Sequence, residues 1–246
     1  MRASRPRYPC IRRSSTTPIS SRGTFPPSSW SGTIIRRSDI AGLCLIIDQG
    51  LLRVGPEQAM QQALAAGVRF FQYRDKNGTR KSIYETSARL AEIAVQAKAR
   101  FIVNDHADVA VAAGADGVHL GQDDLPIADA RKVLGSGRLI GISTHSPEQA
   151  REAEAAGADY IGFGPLFRTS TKDAGATQGI GNLAPVRDAV SLPIIAIGGI
   201  NQANVEFVLR AGADGAAVIS AVLSTNDIQR ASEEMLRLMK NAGGTT

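Results

Sequence analysis

Three short stretches combine residue types that do chemistry with spacings that could aim them. The first is "FQYRDK" at 71–76, where Gln72, Arg74 and Lys76 stand two apart. A period of two puts them on one side of an extended segment and Phe71 and Tyr73 on the other. Two cations and an amide aimed together suit a polyanionic ligand, since guanidinium and ammonium groups bind phosphate oxygens through charge-assisted hydrogen bonds. A solvated charged loop is the plain alternative. The second stretch is "VNDH" at 103–106, in which Asn104 and Asp105 end an apolar run. A carboxylate there loses hydration unless it is paired or metal-bound. The third, "GQDD" at 121–124, adds two carboxylates after another apolar run. Acids at successive run ends, with cations near, favour a hard cation with oxygen ligands, and Mg2+ shared with substrate phosphates fits best. No His/Cys pair stands at a spacing suited to Zn2+. Asp123 or Asp124 could instead cap a helix over "LPIADARKVL".

Other stretches add weaker signals. In "GISTH" (141–145), Ser143 could hydrogen-bond a ligand, while Thr144, His145 or Ser146 could cap a helix from Pro147. "GFGPLFRTSTKDAG" (162–175) is a long polar loop carrying Thr169, Thr171 and Lys172, and loops of that length between a strand and a helix are often functional. Gly198 and Gly199 in "AIGGI" let backbone amides approach a ligand closely. Together these stretches describe two anionic groups. One is held by Arg74, Lys76, Lys172 and a metal, the other by backbone amides near "AIGGI" and "VIS". His119, in "GVHLG", reads as an interior residue rather than a base. His106 and His145 have no Ser or Cys nucleophile to serve, and no catalysis is assigned to them.

Positioning these residues requires regular elements, and the chain supplies them. Eight apolar runs punctuate residues 39–246: "LCLII", "VRFFQY", "FIV", "GVHL", "LIGIS", "YIGF", "PIIAIG" and "AAVIS". Amphipathic helical stretches such as "PEQAMQQALAAG" and "SPEQAREAEAAG" separate most of them. Strand and helix in alternation imply parallel pairing through crossovers. Eight such units fit a single (β/α)8 TIM barrel, with function at the carboxyl ends of the strands. An open doubly wound sheet is the competing architecture, but no Gly-x-Gly-x-x-Gly follows the first strand. "Ala-Gly-Ala-Asp" recurs at 113–116, 156–159 and 211–214. Each copy follows a helical stretch, where a left-handed cap wants Gly, so the repeat belongs to helix-to-strand turns on the face opposite the site.

The formal charge of +5 is concentrated in one place. Residues 1–38 hold eight Arg and no Lys, Asp or Glu, which leaves residues 39–246 at −3. Nucleic-acid binding would want cations spread over a folded face, and no apolar run approaches the length of a membrane span, so neither partner is expected. The tail is Arg-, Ser- and Pro-rich and should be disordered. Its makeup matches an organelle transit peptide or a start placed too far upstream, although starting at the next Met, Met60, would delete the "LCLIID" strand. A cytoplasmic location is the default, with organelle targeting through residues 1–38 the alternative. The two cysteines, Cys10 and Cys44, build no disulfide framework.

The stretches "QYRDK", "FIVNDHADVAVAAGADGVHLGQDDLP", "GISTH", "GPLFRTSTK", "PIIAIGGI" and "ADGAAVIS" occur in the order and context of the thiamine-phosphate synthase family. The resemblance spans about residues 41–236. It implies a TIM-barrel transferase of thiamine biosynthesis that joins 4-amino-2-methyl-5-(diphosphooxymethyl)pyrimidine to 4-methyl-5-(2-phosphooxyethyl)thiazole and releases pyrophosphate. Carried over by motif, it implies that Gln72, Tyr73, Arg74, Asp75, Lys76, Asn104, Ser143 and Lys172 hold the pyrimidine diphosphate. Asp105 and Asp124 would bind Mg2+, and Thr169, Ser170, Thr171, Gly199, Ile219 and Ser220 would hold the thiazole phosphate. Arg74, Lys76, Ser143 and Lys172 would be catalytic in a dissociative substitution, in which the thiazole nitrogen captures a methylene cation. The implied partners are small-molecule substrates, and a homo-oligomer is compatible with them.

The sequence departs from the family pattern at Cys44 and Ile47, where the family usually has Tyr and Thr, and in "DAGATQG", which lacks a Pro often found there. The related thiazole tautomerases share the barrel but lack the full diphosphate set. A silent thiazole-phosphate-binding protein would not need Arg74, Lys76, Asp105, Asp124 and Lys172 together.

Overall fold

A computed structural model of the chain describes residues 40–169 and 177–243. Residues 1–38, expected to be a disordered tail, lie outside the described residues.

The eight apolar runs form eight parallel strands: β1 (Gly42–Asp48), β2 (Phe70–Arg74), β3 (Arg100–Asn104), β4 (Gly117–Leu120), β5 (Leu139–Thr144), β6 (Tyr160–Phe163), β7 (Ile194–Ile197) and β8 (Gly215–Val218). They pair in sequence order and close into a barrel through β1 and β8. The helices between them are α1 (Pro56–Ala66), α2 (Arg80–Ala97), α3 (Ala107–Ala112), α4 (Ile127–Leu134), α5 (Pro147–Ala155), α6 (Leu183–Ala189), α7 (Val205–Arg210), α8 (Ser220–Leu223) and α9 (Ile228–Asn241). This is a (β/α)8 TIM barrel. Among the described residues, no helix is long and apolar enough to cross a membrane.

Side-chain alternation along the strands sorts the apolar residues into two layers. Leu45, Ile47, Phe71, Phe101, Val103, Val118 and Ile161 point outward and pack beneath the helices. Cys44, Ile46, Phe70, Ile102, Leu139, Tyr160, Ile195 and Ala217 point inward and fill the barrel. The last helix shows how the outer layer is built. Ile228, Ala231, Met235 and Met239 recur at helical spacing on its buried stripe, and Asp227 caps its start by accepting from Arg230 N at 2.9 Å.

The Ala-Gly-Ala-Asp turns lie at the amino ends of the strands. Gly114, Gly157 and Gly212 have φ of 72°, 88° and 109°, a left-handed backbone that closes each preceding helix. Their aspartates do more than lead into the next strand. Asp116, Asp159 and Asp214 accept the backbone N–H of Phe101 (2.8 Å), Ile140 (2.7 Å) and Ile194 (2.8 Å) on an adjoining strand. Each also pairs with an arginine: Arg100, Arg131 and Arg187 respectively. One boundary differs from the sequence reading. "AAVIS" was expected to run as strand to residue 220, but β8 ends at Val218. Ile219 leaves extended geometry (φ −126°, ψ −85°), and burial of Val222 and Leu223 makes Ser220 the start of α8.

Candidate active site

Inward-facing residues at the carboxyl ends of the strands open into a cavity of about 780 Å3. Its lining includes Gln72 and Arg74 from β2, Asn104 from β3, Ser143 from β5, Thr169 from the loop after β6, Gly199 after β7, and Ile219 and Ser220 after β8. The alternation of β2 fixes which side of "FQYRDK" arrives here. Gln72 is buried against the cavity, while Tyr73 lies in the outer layer. The Tyr73 hydroxyl faces Gln49 Oε1 at 3.0 Å, and burial raises its pKa to about 12. Asp75 turns away to accept from Asn77 N (3.1 Å) and Gly78 N (2.8 Å). Tyr73 and Asp75 are therefore not in the cavity lining, and any contact they make with its contents runs through backbone. Ser170, Thr171 and Lys172 lie outside the described residues.

Arg74 does not stand alone. Its guanidinium hydrogen-bonds Asp48 at the end of β1, and Asp48 also accepts from Gly50 N at 3.0 Å. Asp48 is 6% exposed, so the pair is held rigidly at the cavity wall. Sequence reading assigned Asp48 no role; its signal was the acid closing "LCLIID" at a strand end.

Lys76, Asp105 and Asp124 cluster past the carboxyl ends of β2, β3 and β4, and none of the three is among the residues that line the cavity. Lys76 Nζ lies 2.5 Å from Asp105 Oδ2. Asp105 has a φ of 66°, a left-handed conformation that Asp tolerates better than most residues. Its N–H is anchored to His119 O at 2.8 Å. Asp124 follows β4 and accepts from Gly121 N at 2.6 Å, so it shapes the turn. Neither Asp123 nor Asp124 caps α4: Pro126 occupies the cap position without a side-chain bond. The two carboxylates are in hydrogen-bond reach of one another, and their titrations diverge. Burial pushes Asp105 up, but hydrogen bonds to Lys76 and Asp124 outweigh it and hold the carboxyl below its usual range. Burial, with the Asp105 carboxylate added, lifts Asp124 above that range against the Gly121 N–H. Two carboxylates facing one another with one ammonium beside them are a donor set suited to a hard divalent cation. Among the described residues, no group of three or more His, Cys, Asp or Glu gathers at one point, so such a cation would draw further oxygens from a ligand.

Ser146, not Thr144 or His145, caps α5, accepting from Gln149 N at 3.2 Å. That leaves Ser143 and His145 on the cavity wall. Gln122, the remaining polar residue of "GQDD", donates to Ser143 O at 2.5 Å. Arg168 and Gln178 also line the cavity, and sequence reading gave neither a role.

The loop after β6 is tied at both ends. Leu166 N and Phe167 N donate to Ile197 O and Gly198 O, while Gln178 N and Gly179 N donate to Pro165 O and Leu166 O. This contact explains the glycine pair after β7. A Cβ at Gly199 would stand 2.6 Å from Arg168 O, and one at Gly198 would stand 2.5 Å from Pro165 Cα. The glycines thus admit the loop backbone, whether or not they also admit a ligand. Side-chain amides of Asn201 and Asn204 both donate to Gly199 O, which fixes the turn.

The cavity thus carries Arg74 on its wall and Gly198 and Gly199 in the turn after β7, groups of a kind suited to anions. Residues 43–222 match the family described as thiamine monophosphate synthase. The chain is 44% identical over 199 residues to the thiamine-phosphate synthase of Chloroflexus aurantiacus, covering 80% of this chain and 92% of that one. It is 46% identical over 201 residues to the thiamine-phosphate synthase of Methanospirillum hungatei, covering 80% and 97%. A solved structure, thiamine phosphate pyrophosphorylase from Pyrococcus furiosus, superposes with a TM-score of 0.78 at 36% identity, covering 85% of this chain and all of that one.

Proposed function

Because the chain belongs to the thiamine monophosphate synthase family, we propose that it joins the pyrimidine diphosphate to the thiazole phosphate, giving thiamine phosphate and pyrophosphate. The observation that carries this reading is the joint presence, around one cavity, of the Asp48-braced Arg74 beside Gln72, Asn104 and Ser143, and of Gly199, Ile219 and Ser220 on the facing turns. Two phosphate-bearing substrates need two such walls.

In this reading Asp105 and Asp124 hold Mg2+, and their mutual closeness beside Lys76 is the feature that fits them to it. When bound, Mg2+ supplies positive charge to diphosphate oxygens. Arg74, Lys76 and Lys172 bind the same diphosphate and stabilise the charge that grows on it as the carbon–oxygen bond breaks. Gln72, Asn104 and Ser143 orient the diphosphate, with Tyr73 and Asp75 shaping the backbone that carries Arg74 and Lys76. Thr169, Ser170, Thr171, Gly199, Ile219 and Ser220 hold the thiazole phosphate so that its ring nitrogen faces the methylene carbon. Holding both reactants in one cavity removes the entropy cost of their encounter. The substitution needs no side-chain nucleophile.

The test is to incubate the purified chain with both substrates and Mg2+ and to measure thiamine phosphate and pyrophosphate. Equal amounts of the two products are expected. A folded protein that forms neither overturns the reading.

A further inference from the structure

Beneath Ser143 the barrel interior holds a hydrogen-bonded chain that the reaction as set out above does not use. The Tyr160 hydroxyl, from β6, lies 2.9 Å from Nδ1 of His119 on β4. Nε2 of the same imidazole lies 3.0 Å from Oγ of Ser143 on β5. Tyr160 is 2% exposed, and Phe70 meets its ring edge-on with centroids 5.9 Å apart. Neighbouring inward positions are emptied to make room. A Cβ at Gly141 would stand 2.0 Å from Tyr160 Cζ, and one at Gly162 would stand 2.9 Å from His119 Cε1. Both glycines have a side-chain neighbour that any larger residue would displace.

Donor and acceptor chemistry sets the direction of the chain. Burial raises the Tyr160 phenol well above its ordinary pKa, with Cys44 and Asp159 adding to the effect, so the hydroxyl keeps its hydrogen. A buried hydroxyl hydrogen requires an acceptor, and His119 Nδ1 stands in reach. With Nδ1 accepting, the neutral imidazole carries its proton on Nε2 and donates it to Ser143 Oγ. Ser143 then has its own hydrogen free for the cavity. The opposite tautomer would make Ser143 donate to Nε2 and turn only lone pairs towards an anion, which repels it. Gln122 fixes the Ser143 backbone from the other side through its carbonyl.

We propose that Tyr160 and His119 are positioning residues, which hold Ser143 Oγ as a hydrogen-bond donor to the diphosphate. The proposal rests on the reading of this wall as the diphosphate site. Both residues also line the cavity, and the role assigned to them is to act on Ser143, Tyr160 through His119.

Tyr160→Phe removes one oxygen and keeps the ring, so it tests the chain in the full-length protein with little disturbance to packing. Two measurements are needed. The 15N shifts of the His119 imidazole, identified by comparison with His119→Gln, should report the Nε2–H tautomer in the wild type and a loss of that preference in Tyr160→Phe. Affinity for inorganic pyrophosphate with Mg2+, by calorimetry, should fall on the order of tenfold in Tyr160→Phe, the loss of one hydrogen bond to a charged group. The KM for the thiazole phosphate should stay unchanged. An Nδ1–H tautomer in the wild type would overturn the proposal. So would a Tyr160→Phe variant with wild-type tautomer and wild-type pyrophosphate affinity. Failure of the wild type to form thiamine phosphate would instead overturn the synthase reading, while the tautomer and its response to Tyr160→Phe judge the chain in either event.

Discussion

In the proposed site, Asp48 readies Arg74 for a diphosphate by holding it in place. A long cationic side chain loses rotamer freedom on binding, and a buried carboxylate partner removes that cost beforehand. Asp48→Asn keeps the shape and the bond to Gly50 N but neutralises the partner. We expect kcat/KM for the pyrimidine diphosphate to fall about 10- to 100-fold, as for other residues that orient a binding group. The KM for the thiazole phosphate should be little changed, and steady-state kinetics with each substrate varied separately checks both. Asp105 is a harsher case, since it pairs with Lys76 and, in the proposed site, holds the cation as well. Asp105→Ala should abolish detectable turnover while circular dichroism and melting stay near wild type. Retained activity would remove Asp105 from the metal site. The polar residues that ring the cavity were legible because each follows an apolar run. Asp48, Gln122 and Tyr160 were not, because their partners lie 26, 21 and 41 residues away and no local pattern joins them.

At the scale of elements, the Ala-Gly-Ala-Asp turns are scaffold, but their aspartates are more than punctuation. Asp214 accepts from Arg187 Nη1 at 2.9 Å and from Ile194 N at 2.8 Å, joining α6, β7 and the turn before β8. Removing it takes the carboxylate from a partly buried guanidinium, which keeps its bonds to Val190 O and Leu192 O, and takes this acceptor from a strand N–H. Asp214→Ala should cost roughly 3 kcal/mol of stability, measured by urea denaturation, with activity per folded molecule preserved. Lys98 gives the opposite sign. It closes α2 with φ 52° and ψ 37°, a left-handed backbone held by a residue with a Cβ. Lys98→Gly should stabilise the protein by about 1 kcal/mol, the cost of left-handed backbone for an L residue, and raise the melting temperature. The sequence marked the glycine caps by residue type. Lys98 carries no such mark, because tertiary packing of α2 and β3 imposes its conformation.

For the molecule as a whole, one cavity collects residues from Cys44 to Ala221, so every strand of the barrel contributes to, or frames, a single site. Residues 1–38 lie outside the described residues and outside the span matched by the family, 43–222. Deleting that segment should leave kcat, both KM values and the melting temperature unchanged. A large loss of activity would reveal a contribution from the tail. The same closure explains the glycines inside the barrel. Gly117 and Gly215 meet neighbouring backbone at 2.2 Å and 2.4 Å from an ideal Cβ, and this close approach is a consequence of wrapping the sheet on itself.

By itself the sequence determined the eightfold alternation, the side on which polar strand ends emerge, and the family. Those follow from period, from local turn chemistry and from contiguous motifs, all of which act over a few residues. Only the tertiary structure decided that Asp48 meets Arg74 and that Tyr160 meets Ser143 through His119. It also made Ser146 the cap of α5. Barrel closure brings together residues far apart along the chain, and a donor finds its acceptor only once the strands carrying them are adjacent.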